Sequence, residues 1–416
     1  MTETREPPPL KALDVPPDPP APVGPNGHAP WVAGPDQPPS AAKAGHINEI
    51  DSLRALAMTA VIAQHCKILP FGWMGVWLFF VISGFVVTTS LLSRPSEGAG
   101  ALLRHFYIRR AARILPIYLG YVALAFVILG LLRGQFAWPA LPSLALFYSN
   151  FAEAFIPNIY KGLPVDHLWT ISVEMQFYLF FGFAFALLPR RALIGVLAIL
   201  LLASPILRFA GGEWLAHLGV KPLSAAFIVY AFSPMHFDSF AAGALLALGA
   251  QQWSRPGRAW GLFAAGVAAI ALYAVAYAAI NHAHGAGGIR MLRNIISGIL
   301  IGDQRQVWLY SAIALLASGV LAMTLTGKAP WSSIARSPWL QSIGRVSYGG
   351  YVYHIICITW VRQALKLVVH PAAGMAGKLE FGGLTFCLVL PLTIGAAMLS
   401  YRYIERPIIV YFARRA

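Results

Sequence analysis

The 416-residue sequence has little charge, and least of all acidic charge. Charged residues make up 11% of the chain, with 16 Asp and Glu against 31 Lys and Arg, whereas 58% of the residues are hydrophobic. Soluble domains usually carry about 25% charged residues. A soluble protein of this composition would expose large apolar patches to water. The scarcity of charge therefore excludes a soluble enzyme and indicates a membrane protein with several spans.

Cysteine is also scarce. Cys66, Cys357 and Cys387 lie in apolar surroundings without Cys-x-x-Cys spacing. They indicate neither a disulfide framework nor a metal site, and no metal is expected. The net charge of +15 comes from basic residues scattered in short groups between apolar runs. A nucleic-acid binder would gather them on one solvated face, so no nucleic acid is expected as a partner.

The first 47 residues contain few large aliphatic side chains. Thirteen of the 30 prolines fall within the first forty residues, and no apolar run of the kind found in a secretory signal follows the start. Such a segment cannot bury enough apolar surface to offset its ordering entropy. The sequence therefore predicts a disordered, proline-rich cytoplasmic tail at 1–47 and a transmembrane domain at 48–416.

Apolar runs long enough to cross a bilayer recur after residue 50. About 20 helical residues cross a hydrocarbon core of about 30 Å. The predicted spans cover residues 52–69, 73–92, 114–132, 167–188, 192–209, 224–249, 259–280, 307–326, 346–366 and 382–400. Residues 139–157 are apolar but broken by prolines, and we interpret them as re-entrant or interfacial. The predicted fold class is an all-α transmembrane bundle of about ten helices.

The positions of arginine and lysine predict the orientation of this bundle. With ten helices, the denser basic loops lie near residues 94–113, 190–191, 255–258, 328–336 and 402–415. Loops enriched in Lys and Arg face the cytoplasm. Both termini are therefore predicted to be cytoplasmic.

Ionisable side chains within apolar helices suggest function, because a membrane interior solvates charge poorly. Arg54 and His65 lie eleven residues apart in the first predicted span. Eleven residues turn a helix by about 1100° and raise it by about 16 Å, so the two side chains share one face. Alternatively, Arg54 extends to the lipid headgroups and His65 packs between helices.

A cluster of arginines precedes the third predicted span. Arg109, Arg110 and Arg113 include a pair spaced by four residues, which lies on one helix face. Grouped guanidinium donors suit phosphate groups, such as those of a nucleotide-bearing donor. Ordinary positive charge at the cytoplasmic face, or lipid binding, would also account for them.

Two further predicted spans begin with several polar side chains. The residues singled out are His167, Trp169, Glu174, Tyr178, Tyr348 and His354. An aromatic belt at the membrane surface explains Trp169 and Tyr178 but not Glu174. A carboxylate there could orient a histidine or a hydroxyl substrate. Together with Arg54 and His65, these segments predict a buried polar chamber.

These segments, in this order, resemble the integral-membrane acyltransferase-3 family of O-acyltransferases. The matching pieces, dispersed over residues 50–407, are LRALAMTAVIAQHC, GVWLFFVISGFVVT, FYIRRAARILPIY, HLWTISVEMQFYLF, SYGGYVYHIICI and YRYIERP. The resemblance implies a ten-helix enzyme of a bacterial inner membrane. Such an enzyme takes an acyl group, commonly acetyl, from cytoplasmic acyl-CoA and passes it to a hydroxyl. The acceptor is usually a sugar of a surface or exported polysaccharide, and sometimes a small metabolite.

The resemblance also assigns roles by position. His65 matches the catalytic histidine and Arg54 its Arg-x10-His partner, whereas Arg110 and Arg113 match the Arg-x-x-Arg pair that serves the donor. Further matches are Ser83 and Gly84, in a Ser-Gly pair of the second helix, and Glu174, the first acid of a Ser-Val-Glu-Glu-Gln pattern. The sequence departs from the family pattern at Met175, in place of a second Glu, and also at Trp77, Gly349, Gly350 and Tyr353.

The resulting mechanistic hypothesis centres on His65. A hydroxyl is a weak nucleophile and needs a base, so His65 either deprotonates the acceptor or first accepts the acyl group itself. Glu174 is expected to orient His65 if the fold brings the two together. Arg54 is expected to line the donor path, and the arginines at 109, 110 and 113 to hold the phosphates of acyl-CoA. The predicted substrate contacts are Ser83, Gly84, His167, Trp169, Tyr178, Tyr348 and His354.

The sequence leaves other function classes open. Polar stripes on several helices also line the path of a transporter or flippase, although no internal repeat is visible. A membrane sensor whose tail recruits partners would leave His65 and Glu174 unexplained. Membrane lipid and a hydroxyl-bearing acceptor are the expected partners, and the oligomeric state is not predicted. Some family members carry an appended soluble hydrolase-like domain; with the sequence ending at residue 416, another protein is expected to supply any such activity.

Overall fold

The regular structure of the described residues is entirely helical. The computed structural model describes residues 47–413 except 95–96, 135–136, 157, 300–301 and 371–373, and no strand occurs in these ranges. The predicted all-α fold class is confirmed. The predicted tail, apart from Ile47, lies outside the described residues.

Eighteen α-helices follow one another in the described part of the chain. They are α1 Asn48–His65, α2 Met74–Leu92, α3 Ala99–Arg133, α4 Leu141–Ala145, α5 Ser149–Phe155, α6 Trp169–Leu187, α7 Arg190–His217, α8 Pro222–Ala231, α9 Phe237–Leu248, α10 Ala250–Trp253, α11 Pro256–Ala283, α12 Gly288–Ile296, α13 Arg305–Leu325, α14 Ser332–Ala335, α15 Pro338–Arg345, α16 Ser347–Val368, α17 Gly374–Ser400 and α18 Arg406–Ala413. A π-helical turn at Tyr401–Glu405 joins α17 to α18, and short 3-10 segments occupy Trp138–Ala140 and Ser233–His236.

Seven helical segments are long and apolar enough to cross a membrane. They cover residues 74–92, 99–131, 169–187, 190–217, 256–283, 305–325 and 374–412, and each contains or matches a predicted span. Two other predicted spans correspond to α1 and α16, which have the length of a span but are more polar. The total of ten spans and the cytoplasmic position of both termini remain predictions.

The predicted span at 224–249 is not one continuous helix. The chain leaves helical geometry after Ala231, forms a 3-10 turn and re-enters a helix at Phe237. Phe232 is extended, and Pro234 follows at the start of the 3-10 turn, where it lacks the N–H that a continuous helix would need. Side chains of α7 satisfy the freed carbonyls: Ser204 donates to Pro234 O at 2.8 Å, and Arg208 donates to Met235 O at 2.5 Å.

An ion pair closes this break. Arg208 is completely buried and donates from Nη2 to the Asp238 carboxylate at 2.7 Å and to the Ser311 hydroxyl at 2.8 Å. A buried charge must be paired, because leaving one partner alone in the interior is strongly destabilising. Asp238, an acid within an apolar segment, therefore serves the structure of the broken helix.

The apolar segment at 139–157 contains only short helices. Its pieces, Trp138–Ala140, α4 and α5, are each too short to cross a membrane. This geometry agrees with the interpretation of the segment as re-entrant or interfacial rather than as an eleventh span.

Helices α2 and α9 cross in close contact through two glycines. A Cβ atom on Gly84 would overlap the backbone carbonyl of Phe240, and one on Gly243 would overlap that of Val81. Small residues at such crossings allow two backbones to approach closely. The structure thus places Gly84, predicted as a substrate contact, in helix packing beside the chamber residue Ser83.

We predict that Gly84→Ala destabilises the protein. The added methyl group would force α2 away from α9, and overpacking of this kind typically costs about 1–3 kcal/mol. Thermal unfolding in detergent measures the effect. Gly120→Ala is the matched control, because Gly120 lies in α3 with no atom within 4 Å of an added Cβ. Equal melting temperatures for the two variants would contradict the close crossing.

Candidate active site

A cavity of about 60 Å³ lies between α1, α2, α3, α6 and α16. We call it the chamber. Its lining residues are Arg54, Val76, Phe79, Phe80, Ser83, Arg110, Arg113, Ile114, Thr170, Ile171, Glu174, Tyr178, Ser347, Tyr348 and Tyr351. It unites predicted site residues from five helices. A water needs roughly 10–15 Å³ of such volume, so the chamber has room for an acetyl-sized group.

Glu174 is the carboxylate of the chamber lining, and two hydroxyl groups donate to it. Ser83 of α2 and Tyr178 of α6 both donate to Oε1, the latter at 2.5 Å. Glu174 and Tyr178 meet because residues four apart lie on one helix face, whereas Ser83 comes from a different helix. Hydrogen bonds to an ionised acceptor are roughly twice as strong as neutral ones. The network therefore holds both hydroxyl groups in fixed positions.

Three guanidinium groups, of Arg54, Arg110 and Arg113, surround this single lining carboxylate. The guanidinium of Arg110 also lies 5.7 Å from the centre of the Tyr178 ring. The Nε atoms of Arg54 and Arg110 are buried without a hydrogen-bond partner among the described residues. Buried donors without acceptors are costly. An anionic or carbonyl-bearing ligand would supply the missing acceptors.

A second cavity of about 280 Å³ adjoins the chamber between α3 and α18. We call it the mouth. It is lined by Arg109, Arg110, Ala112, Arg113, Ile409 and Phe412. Arg110 and Arg113 line both cavities, so the mouth and the chamber meet at these two side chains. All three arginines of the predicted donor cluster are thus brought together at one opening.

A buried carboxylate near the mouth was not predicted as a site residue. Glu405 is 3% exposed and belongs to the π-helical turn after α17. Ser400 contacts its Oε1 atom at 3.5 Å and lies 2.9 Å from the Tyr353 hydroxyl. Single π-helical turns are frequent at functional sites. Glu405 is inconspicuous in the sequence, because it occurs in the polar run YRYIERP rather than inside an apolar span.

His65 belongs to a second polar group, which we call the histidine cluster: His65, His167 and His354. The His65 and His354 rings are 5.1 Å apart between centroids, and the His354 and His167 rings are 4.8 Å apart. The hydroxyl partners of Glu174 are Ser83 and Tyr178, so the expected orientation of His65 by Glu174 does not appear among the described contacts.

Tyr351 connects the chamber with the histidine cluster. It lines the chamber, and its ring centroid lies 5.3 Å from that of His354 and 5.7 Å from that of His167. Its hydroxyl is 2.8 Å from the Thr170 hydroxyl and donates to the His167 carbonyl at 3.2 Å. The site prediction missed Tyr351, although its spacing of four from Ser347 places both on one helix face.

The remaining predicted contacts have different positions. Tyr348 lines the chamber and donates to the carbonyl of Ile114 at 2.9 Å. Trp169 is absent from the chamber lining and packs its ring 4.9 Å from that of Tyr230. Arg362, which carried no sequence signal, donates to the backbone carbonyl of His65 at 2.7 Å. It therefore fixes the C-terminal end of α1.

A helical bundle with an arginine-rich chamber and a neighbouring histidine cluster is suited to group transfer within a membrane. Residues 47–402 match the family model described as an acyltransferase domain, Acyl_transf_3. The chain therefore belongs to the acyltransferase-3 family and is an integral membrane protein. The family resemblance inferred from the motifs is confirmed.

Several curated proteins are similar to this chain. The peptidoglycan O-acetyltransferase OatA of Listeria monocytogenes is 28% identical over 87% of this chain and 56% of its own length. The O-acetyltransferase OatA of Staphylococcus aureus strain NCTC 8325 is 26% identical over 86% of this chain and 56% of its own. A protein of S. aureus strain COL, named as an O-acetyltransferase, is 25% identical over 88% and 58%. The chain thus spans somewhat more than half the length of these relatives. No solved structure matches it significantly.

Two carboxylates outside the long apolar helices have raised pKa values. Glu153 of α5 is partly buried, and burial together with the charge of Asp166 raises its pKa from an ordinary value of 4.5 to about 8. Burial also raises the pKa of Asp166. Between pH 4.5 and 8 the folded protein therefore binds more protons at Glu153 than the unfolded chain does.

We predict that Glu153 makes the free energy of unfolding fall as the pH rises from about 4.5 to about 8. Stability declines with pH wherever the folded state binds more protons than the unfolded state. Glu153→Gln should therefore raise the melting temperature at pH 8 and leave it nearly unchanged at pH 4.5. Glu380→Gln, at an exposed position, is the control. A Glu153→Gln variant that follows the wild-type pH dependence would refute the assignment.

Proposed function

We propose that the protein is a membrane O-acetyltransferase that moves an acetyl group from cytoplasmic acyl-CoA to a hydroxyl of a surface or exported glycan. The observation that carries this proposal is the arginine-lined chamber, which meets a basic mouth on one side and reaches the histidine cluster through Tyr351 on the other. Family membership supports acyl transfer, and the relatives named as O-acetyltransferases support oxygen as the acceptor atom.

The donor would enter through the mouth. Arg109, Arg110 and Arg113 offer forked donors suited to the phosphates of CoA. The narrow chamber beyond would accept the acetyl thioester end, and its polar side chains would bind the thioester carbonyl. In the proposed orientation, the N-terminal end of α1 faces the cytoplasm, so Arg54 lies towards the donor side and His65 towards the outer side.

Transfer requires a base for the acceptor hydroxyl, and we assign this role to His65. As the acceptor oxygen forms a bond to the thioester carbonyl carbon, His65 takes the hydroxyl proton, and the carbon–sulfur bond breaks. The CoA thiolate leaves and takes that proton back from His65. In the other form of the proposal, His65 first accepts the acetyl group and then passes it to the acceptor hydroxyl. The guanidinium groups of Arg54 and Arg110, beside the Glu174 network, would donate hydrogen bonds to the donor carbonyl.

The proposed acyltransferase role also implies a domain organisation and a cellular location. Residues 48–416 would form the acyltransferase domain of a bacterial inner-membrane protein, and residues 1–47 a cytoplasmic tail. Membrane lipid would surround the bundle, and the acceptor would be a glycan or another hydroxyl-bearing molecule. The peptidoglycan named for the Listeria relative is one acceptor of this chemical class.

The broken helix between α8 and α9 is the observation that favours a transporter or flippase, since transporter sites often use discontinuous helices. Arg208, Asp238 and Ser311 fill this break with direct contacts, which is unlike an open path. Purified protein in liposomes, given radiolabelled acetyl-CoA and candidate glycans, separates the classes. Labelled glycan supports the enzyme, whereas glycan movement without label transfer supports the transporter.

We predict that His65→Ala lowers acetyl transfer to the acceptor by at least about 100-fold, the scale of general base catalysis. The measurement is label transfer at saturating donor and acceptor. His217→Ala, at an exposed position on α7, is the matched control. An unchanged melting temperature in detergent would exclude misfolding as the cause, and near-normal turnover of His65→Ala would reject the catalytic assignment.

We predict that Arg113→Ala raises the KM for acetyl-CoA by about tenfold or more, because it removes charge-assisted hydrogen bonds to the donor. Arg104→Ala is the control, since Arg104 is an exposed arginine on the same helix. Initial rates over a range of acetyl-CoA concentrations give both constants. A KM that stays at the wild-type value in Arg113→Ala would exclude this side chain from the donor site.

A further inference from the structure

His354 contains a buried ring nitrogen without a hydrogen-bond partner. The residue is completely buried, and its Nδ1 lies 2.5 Å from the backbone carbonyl of Tyr351. A carbonyl oxygen only accepts hydrogen bonds, so Nδ1 carries the proton and Nε2 carries a lone pair. Nε2 has no partner among the described residues.

His167 also has a buried ring nitrogen without a hydrogen-bond partner, but in this residue the nitrogen is Nδ1. Its Nε2 lies 3.0 Å from the carbonyl of Val352 and therefore carries the proton, which leaves Nδ1 as an acceptor. This Nδ1 is also without a partner in the described structure. Two acceptors do not bond to each other, and a buried acceptor without a donor costs free energy. Each of these two nitrogens therefore needs an N–H or O–H donor from a neighbouring group.

His65 is the ring placed to supply that donor. Its centroid is 5.1 Å from that of His354. Two imidazoles joined by a hydrogen bond have nitrogens roughly 3 Å apart, which puts their centroids about 5–6 Å apart. Arg362 holds the backbone carbonyl of His65, which fixes the point from which this ring can direct an N–H towards Nε2 of His354.

Because positive charges lie near His65, a neutral hydrogen-bond acceptor would stabilise its protonated ring. In the described part of the chain, the charged groups that act on His65 are Lys67 and Arg362, both cations. A base that gains a proton next to two cations needs an acceptor for its positive charge. With Glu174 bonded to Ser83 and Tyr178, the lone pair of His354 is the acceptor that the geometry offers.

We propose that His354 is the positioning residue of His65. It accepts the N–H of one His65 nitrogen at its own Nε2 and thereby leaves the other nitrogen with the lone pair that faces the acceptor hydroxyl. This inference rests on the proposed role of His65 as the base. The proton from the hydroxyl goes to the free nitrogen of His65 and later to the leaving thiolate. His354 stays neutral throughout and does not contact the substrate.

Two substitutions test the roles of the two ring nitrogens of His354 separately. His354→Asn retains an amide donor near Nδ1, for the Tyr351 carbonyl, but has no group at the position of Nε2. His354→Gln extends a carbonyl oxygen towards that position and so restores an acceptor. We expect His354→Asn to lower kcat by about 100-fold or more with both KM values nearly unchanged, and His354→Gln to recover at least part of this loss. A raised KM for the acceptor with unchanged kcat would overturn the positioning role and indicate substrate contact.

A readout that does not need activity completes the test. The pH dependence of the reaction of His65 with diethylpyrocarbonate, followed by mass spectrometry of the His65 peptide, reports when this ring becomes neutral. In His354→Asn the midpoint should fall by on the order of one pH unit, because the imidazolium loses its acceptor. His354→Gln should lie nearer the wild type, and His217→Asn should match it.

The outcomes distinguish the pairing of His65 with His354 from the proposed function. If the wild type transfers no acetyl group but the midpoint still falls in His354→Asn, the proposed function fails and the pairing of the two histidines stands. If the midpoint is the same in His354→Asn, His354→Gln and the wild type, the pairing is overturned, whatever the activity. Melting temperatures of all variants identify any that fail to fold; if His354→Asn is one of them, His354→Leu, which also has no acceptor at the position of Nε2, takes its place in the comparison.

Discussion

The excess of arginine over carboxylate in the chamber is the constraint on which the site depends. Three guanidinium groups surround Glu174, and two buried Nε atoms lack acceptors in the described structure. Charge in a membrane interior is costly unless it is paired or hydrated. Because Arg54 and Arg110 each have a buried Nε without an acceptor among the described residues and share one lining carboxylate, a ligand that carries negative charge or carbonyl oxygens into the chamber would be favoured. The same excess disfavours neutral ligands that offer no acceptor.

Arg208 is a buried arginine of the same bundle that differs from the chamber arginines in its partners. It is also buried among apolar helices, but Asp238, Ser311 and the Met235 carbonyl accept its hydrogen bonds. A guanidinium paired with a carboxylate in this way stabilises a backbone break, although its Nε, like those of Arg54 and Arg110, has no partner among the described residues. Arg208 has a carboxylate of its own, whereas the three chamber arginines share Glu174. The chamber is therefore the better place for substrate chemistry.

The sequence predicted local features well because a helix has a fixed period. The long apolar helices, the stripe of Glu174 and Tyr178, and the arginine cluster all depend on residues close together in the chain. The bond between Ser83 and Glu174 joins residues 91 positions apart, and the pairing of His65 with His354 depends on the packing of α1 beside α16. Periodicity does not determine such pairs. The same limit explains why Gly84 was taken for a substrate contact, since its close approach to Phe240 exists only once α2 and α9 have packed.

The separation of the chamber from the histidine cluster bears on how the proposed transfer proceeds. The donor phosphates would bind at Arg110 and Arg113, whereas His65 lies about 16 Å along α1 from Arg54. The thioester end of the donor would occupy the chamber of about 60 Å³. The acceptor would therefore approach from the side of the histidine cluster, and the thioester arm from the mouth. Tyr351, which contacts both regions, marks the boundary where the two substrates would meet. In the proposed transfer, such a site would let the donor remain on one side of the membrane while its acetyl group reaches an acceptor on the other.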